Sequence, residues 1–134
     1  MRLANWPTLL AEFLTERGTQ EHVWGKNDCC LFAADAIEVI TGVDNASEFR
    51  GRYTTELGAK RALLRYGAGD IRSTFTAKFG QPVARLKAVR GDIALVIIDG
   101  VERVGVVYGK IYLVSDKGLV TLPLNQSVSI WSIN

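Results

Sequence analysis

Trp24-Gly25-Lys26-Asn27-Asp28-Cys29-Cys30-Leu31-Phe32 closes a loop and opens the most clearly written helix in the chain. From Cys29 onward the apolar positions are Cys29, Phe32, Ala33, Ala36, Ile37 and Ile40. They lie three and four apart, the stripe of an amphipathic helix turned toward a core. Asp28 stands where an N-cap belongs, its carboxylate able to accept from the free N–H groups of the first turn. Gly42 supplies the stop. Cys29 therefore falls at the first helical position, where unpaired amides and the positive end of the helix dipole favour a thiolate. Cys30 is turned by about 100° around the axis, so the two thiols are expected in different environments, with only one facing a cleft. The competing reading of Cys29 is a small core residue on an apolar helix face.

The chain around this stretch has 134 residues, enough for one domain with a real core and no need of disulfides or metal. It is 48% hydrophobic and 22% charged, ordinary for a globular protein. The net charge of +2 is spread along the sequence, so neither a nucleic-acid stripe nor a basic membrane face is indicated. The N-terminus lacks the apolar run of a signal peptide, and no window approaches the ~20 apolar residues of a membrane span. A soluble chain made in the cytoplasm is expected. The adjacent cysteines fit no ordinary disulfide and are read as reduced. With the single His22 they make no credible zinc site, and no cofactor signature is present.

Upstream, Pro7 suits the first turn of a helix whose apolar face is Trp6, Leu9, Leu10, Phe13 and Leu14, ending at Gly18. A polar loop through His22 then leads to Trp24, expected as a wall of whatever pocket Cys29 faces. Downstream, Asp44 and Arg50 or Arg52 can close a loop as an ion pair. A third helix follows, capped at Thr54 or Thr55, with Leu57, Ala59, Ala62, Leu63 and Tyr66 as its apolar pattern and Gly67 as its end. A fourth candidate covers residues 70 to 79. From Arg90 the period changes: Ile93 to Ile98 is a β-rich run, Asp99-Gly100 a hairpin turn, and Val104 to Tyr108 the return strand. Strands over 111–114 and 119–122 follow, and residues 128–133 alternate as a last, half-exposed strand. The fold class is α+β: N-terminal helices packed on one face of a C-terminal antiparallel β-meander, in a single domain over 1–134.

A helix that presents a cysteine at its N-terminus against a later antiparallel sheet is the plan of papain-like peptidases, in which the partner histidine comes from the sheet. Trp24-Gly25 followed by Asp28-Cys29 resembles the Trp-Gly and Asp-Cys-Ser-Gly signature of the NlpC-type branch, whose members cleave peptidoglycan stem peptides. Gly91-Asp92-Ile93 resembles its Gly-Asp-Leu first strand, and Val104-Gly105-Val106-Val107-Tyr108-Gly109 its histidine-bearing hairpin. More closely, the chain resembles a small phage and prophage family related to those peptidases and encoded among tail genes. Asp28 to Asp35, Thr41-Gly42-Val43-Asp44, Arg50-Gly51-Arg52-Tyr53, Gly58-Ala59, Gly118-Leu119 and Trp131 carry that likeness.

The likeness breaks at the relay. It puts Arg103 where the catalytic histidine belongs and Leu113 where the orienting polar residue belongs. Arginine does not deprotonate in proteins; it can favour a thiolate as a nearby cation but cannot hand a proton to a leaving amine. His22 can serve only if its loop folds over the helix N-terminus and brings the imidazole within ~3 Å of the sulfur. The resemblance thus implies a degenerate NlpC-like domain acting as a tail-tip assembly protein, bound to other tail proteins, made in the host cytoplasm and carried in the virion tail. The alternative it leaves open is a working cysteine peptidase that opens peptidoglycan during DNA entry, with Cys29 as nucleophile and His22 or an unrecognised group as base.

Overall fold

The computed structural model describes all 134 residues, as four helices followed by five strands. The helices are α1 (Trp6–Arg17), α2 (Cys29–Thr41), α3 (Glu56–Tyr66) and α4 (Ile71–Phe79). The strands are β1 (Ile93–Ile98), β2 (Val101–Tyr108), β3 (Lys110–Ser115), β4 (Gly118–Leu122) and β5 (Ser129–Trp131). All pairings are antiparallel, in the order β4-β3-β2-β1-β5. The first four strands are a meander. The fifth crosses to the far edge and pairs with β1 through Ile93↔Trp131. The β1–β2 turn works because Asp99 and Gly100 both take positive φ, 51° and 76°, the twist a two-residue hairpin needs.

α2 is the central helix. Phe32, Ala33, Ala36, Ile37 and Ile40 pack with α1 and the sheet, while Leu31 and Ala34 on its other side pack with Phe49, Tyr53 and Ala62. A helix buried on both sides must be apolar nearly all round, and this one is. α3 is peripheral: only Ala62 is buried, and Leu57, expected on its core face, is 58% exposed. The end of the chain also differs from expectation, because β5 is buried on both faces rather than half-exposed. Trp131 meets Phe75 at a tilt with ring centroids 5.3 Å apart, while Ile130 enters a second core on the far side of the sheet, flanked by Val83, which bridges to it at the sheet edge.

Two buried aspartates tie the domain together. Asp92, 1% exposed, accepts from the Arg2 guanidinium at 2.9 Å and from the amides of Val89 and Ile133. Arg2 also donates to the carbonyls of Arg90 and Ile133. The Gly91-Asp92 pair therefore joins both chain ends to the start of β1. Asp28 is the second, and it belongs to the site. A surface network of Arg17, Asp35, Arg50 and Asp44 fastens the loop after α2. Arg52 takes no part in it and lies over the Tyr66 ring instead.

Candidate functional site: a cysteine cleft at the start of the central helix

Asp28 caps α2. Its Oδ1 accepts from the Leu31 amide at 3.0 Å, and its Oδ2 accepts from the Gly25 amide at 3.0 Å and the Tyr53 hydroxyl at 2.6 Å. The carboxylate thereby locks three segments: the turn before the helix, the helix and the loop before α3. Gly25 is irreplaceable in that lock, since its φ is +82° and a Cβ there would stand 2.0 Å from the Tyr53 carbonyl oxygen. The Trp24-Gly25 pair is thus required by a backbone crossing. Burial, then the bond to Asp28, drives the Tyr53 phenol far above its ordinary range, so it stays a donor.

Cys29 is the first residue of α2 and faces a cavity of about 180 Å³ bounded by α2, α3, α4 and the start of β2. His22, Trp24, Cys30 and Arg103 line it too. Contrary to the expectation of separate environments, the two thiols share this cavity, with their sulfurs 4.0 Å apart. The helix cylinder is only about 2.3 Å in radius, and at the first turn no preceding turn stands in the way. Short side chains on successive residues can therefore swing toward each other. The pair splits in acidity: Cys29 lies below an ordinary thiol, chiefly through the hydrogen bond from Cys30. Cys30 is driven well above by that same bond and by burial.

Two groups from β2 act on the sulfur. The Val107 amide donates to Asp92 on the β1 side, so by the strand alternation the Val104 amide points to the β3 side. Pairing with β3 ends at Val106↔Tyr112. The Val104 N–H, beyond that end, is free to act on Cys29 and favours its thiolate. The Arg103 charge adds to this. Arg103 forms no ion pair, whereas Glu102 beside it meets Arg72 at 3.7 Å. Leu113 lies on the sheet face that Arg103 shares with Gly105, its side chain close against Gly105 and 2% exposed. It offers no polar atom to orient anything.

His22 does reach the cleft. Its amide donates to the Ser115 carbonyl at 3.0 Å, pinning the loop to the end of β3, and its ring meets Trp24 edge-on at 4.5 Å. Asn27 fastens the same loop, accepting from Arg17 and donating to the carbonyls of Gln20 and Glu21. Asn27, Cys30 and Tyr53 are the contributors that sequence reasoning left out. No group of three or more His, Cys, Asp or Glu side chains is arranged to hold a metal ion, and no helix is long and apolar enough to cross a membrane.

The cleft therefore assembles an acidified thiol, two unbonded amides at a helix start, one unpaired cation and one imidazole on its rim. That set can attack a carbonyl carbon and hold the resulting oxyanion. No curated protein and no solved structure matches the chain. A family model does match, over residues 1–133: the chain belongs to the family described as a domain of unknown function, DUF6950.

Proposed function

We propose that this chain is a phage tail-tip assembly protein that keeps the cleft of an NlpC-type, papain-like cysteine peptidase without its amide-cleaving relay. The observation that carries this reading is the neighbour β2 gives to Cys29, which is Arg103 and not a histidine. Cleaving an amide requires a proton for the departing amine. A guanidinium holds its protons too tightly to give one up. Leu113 adds nothing to an oriented pair. The tail assignment rests on the sequence resemblance, with neighbouring tail proteins as partners and the assembled virion as destination.

Digestion of purified peptidoglycan tests the enzymatic half. Wild-type protein should release no new amino groups, and release that disappears in Cys29→Ser would overturn the reading. In a phage carrying the gene, Cys29→Ser should assemble and infect normally while deletion blocks or alters tails.

One observation favours a second reading, a working peptidase on peptidoglycan stem peptides. His22 lines the same cavity as Cys29, on a loop pinned to β3. In that case cleavage would be lost equally in Cys29→Ser and His22→Ala.

A further inference from the structure

The cavity in front of Cys29 extends beyond anything a nucleophile needs. Fifteen of its 24 lining residues are hydrophobic, with Leu63 of α3 and Ile71, Phe75 and Phe79 of α4 forming its walls. Its charged lining groups are mostly spent: Lys60 pairs with Glu56, Lys78 with Glu48, and Glu102 with Arg72. Arg103 alone is a free cation. A stem peptide rich in carboxylates would lose its hydration in such a space and find one partner. An apolar group would gain by entering. A cavity of about 150 Å³ walled by Leu, Ile and Phe stays dry and binds benzene, so the volume here suits an acyl chain of about six carbons.

We propose that this cavity is an acyl pocket, in which Cys29 takes an apolar acyl group from an activated ester or thioester and keeps it as a buried thioester. The proposal rests on the reading above, that the cleft has kept its nucleophile and lost its proton relay. The Cys29 thiolate attacks the ester carbonyl carbon, and the carbonyl π pair moves to oxygen. That oxyanion forms at the start of α2, where the amides of Cys29 and Cys30 donate to nothing within the fold, in the cavity that Arg103 also lines. With the S–C bond already made in the attack, collapse restores the carbonyl and expels the phenolate or thiolate with its electron pair. A phenolate or thiolate departs without a proton; an amine cannot. The later attack of water on the thioester needs a base, and Arg103 is none. The adduct therefore stays.

The test uses the full chain with p-nitrophenyl acetate and p-nitrophenyl hexanoate, following p-nitrophenolate release and intact mass, with glutathione as the free-thiol reference. The expected result is a burst of one equivalent with a single acyl adduct mapped to Cys29. After correction for glutathione, hexanoate should react about tenfold faster than acetate or more, from burial of its extra methylenes. Cys29→Ser should abolish the adduct, and Ala59→Phe, which narrows the pocket, should shrink the preference for hexanoate. A preference no greater than that of glutathione, or an adduct on Cys30, would overturn the proposal. Steady turnover lost in His22→Ala would also overturn it. Release of amino groups from peptidoglycan with no hexanoate preference would sink both readings. Inert peptidoglycan with no preference would sink the acyl pocket alone.

Discussion

Replacing Asp28 by alanine tests the element on which the cleft depends. The carboxylate is 2% exposed and accepts from three donors, the amides of Gly25 and Leu31 and the hydroxyl of Tyr53. Loss of the N-cap alone costs about 1 kcal/mol. A buried hydroxyl left without its acceptor costs about 1–3 kcal/mol, and the stranded Gly25 amide a similar amount. Discounting for overlap, Asp28→Ala should cost about 3–5 kcal/mol, a large share of the ~5–15 kcal/mol that holds a domain folded. Tyr53→Phe removes a donor and strands nothing charge-free, so it should cost about 1.5–3 kcal/mol. Because both substitutions break the same bond, the double mutant should be more stable than the sum by at least about 1 kcal/mol. Equilibrium urea unfolding followed by tryptophan fluorescence measures all four corners. A loss below about 1 kcal/mol for Asp28→Ala, or a coupling near zero, would refute the claim that this carboxylate fastens the helix start to the loop before α3.

Three further outcomes follow from the same coordinates. Gly25→Ala should fail to give a soluble, cooperatively unfolding protein, because its Cβ would collide with the Tyr53 carbonyl at a positive φ; a normal unfolding curve would contradict the crossing. Arg2→Ala leaves the Asp92 carboxylate buried without its cation, and thermal or urea unfolding should report a loss of about 3–5 kcal/mol. Alkylation of Cys29 by iodoacetamide, mapped by mass, should rise with pH and level off at a lower pH than for an ordinary thiol near 8.5. The sign follows from the lowered pKa of Cys29: its thiolate persists to lower pH. Cys30→Ala removes the largest stabilising bond and should move that midpoint upward; an unmoved midpoint would show that Cys30 is a bystander.

Much of this fold is written locally. The period of α2, the caps at Asp28 and Thr55, and the Asp99-Gly100 turn each depend on residues within one or two turns of each other. What escaped depends on distant partners. The alternation of residues 128–133 marks a strand, but the seat of β5 beside β1 comes from Ile93↔Trp131, a pairing across 38 positions that no window contains. The burial of both faces of β5 reflects the core against Phe75 on one side and the second core on the other, where Val83, bridged to Ile130 at the sheet edge, packs with Ala88 and Leu124. Leu57 has the right chemistry for a core face, but α3 touches the domain along Ala62 and its neighbours and leaves Leu57 in solvent. Propensity and pattern say that a helix is amphipathic, not how much of its face finds a partner.

The site divides in the same way, and the division bears on its chemistry. Cys29 and Asp28 are legible because capping is local. Tyr53 is not, lying 25 residues from the carboxylate it serves. The position of His22 is decided by Ser115 and Asn27, contacts with no signature in the residues beside it. What results is a cleft whose nucleophile is activated by fixed features: a helix start, the Val104 amide, the Cys30 thiol and the Arg103 charge. None of these four can carry a proton away from the thiol and on to a leaving group as an imidazole does. In a working cysteine peptidase one histidine performs both tasks. On the reading proposed above, activation is separated from proton delivery here, and a site so divided would be acylated where the leaving group departs as a stable anion. Only His22 could reunite the two tasks, which makes its replacement the most informative single change in the chain.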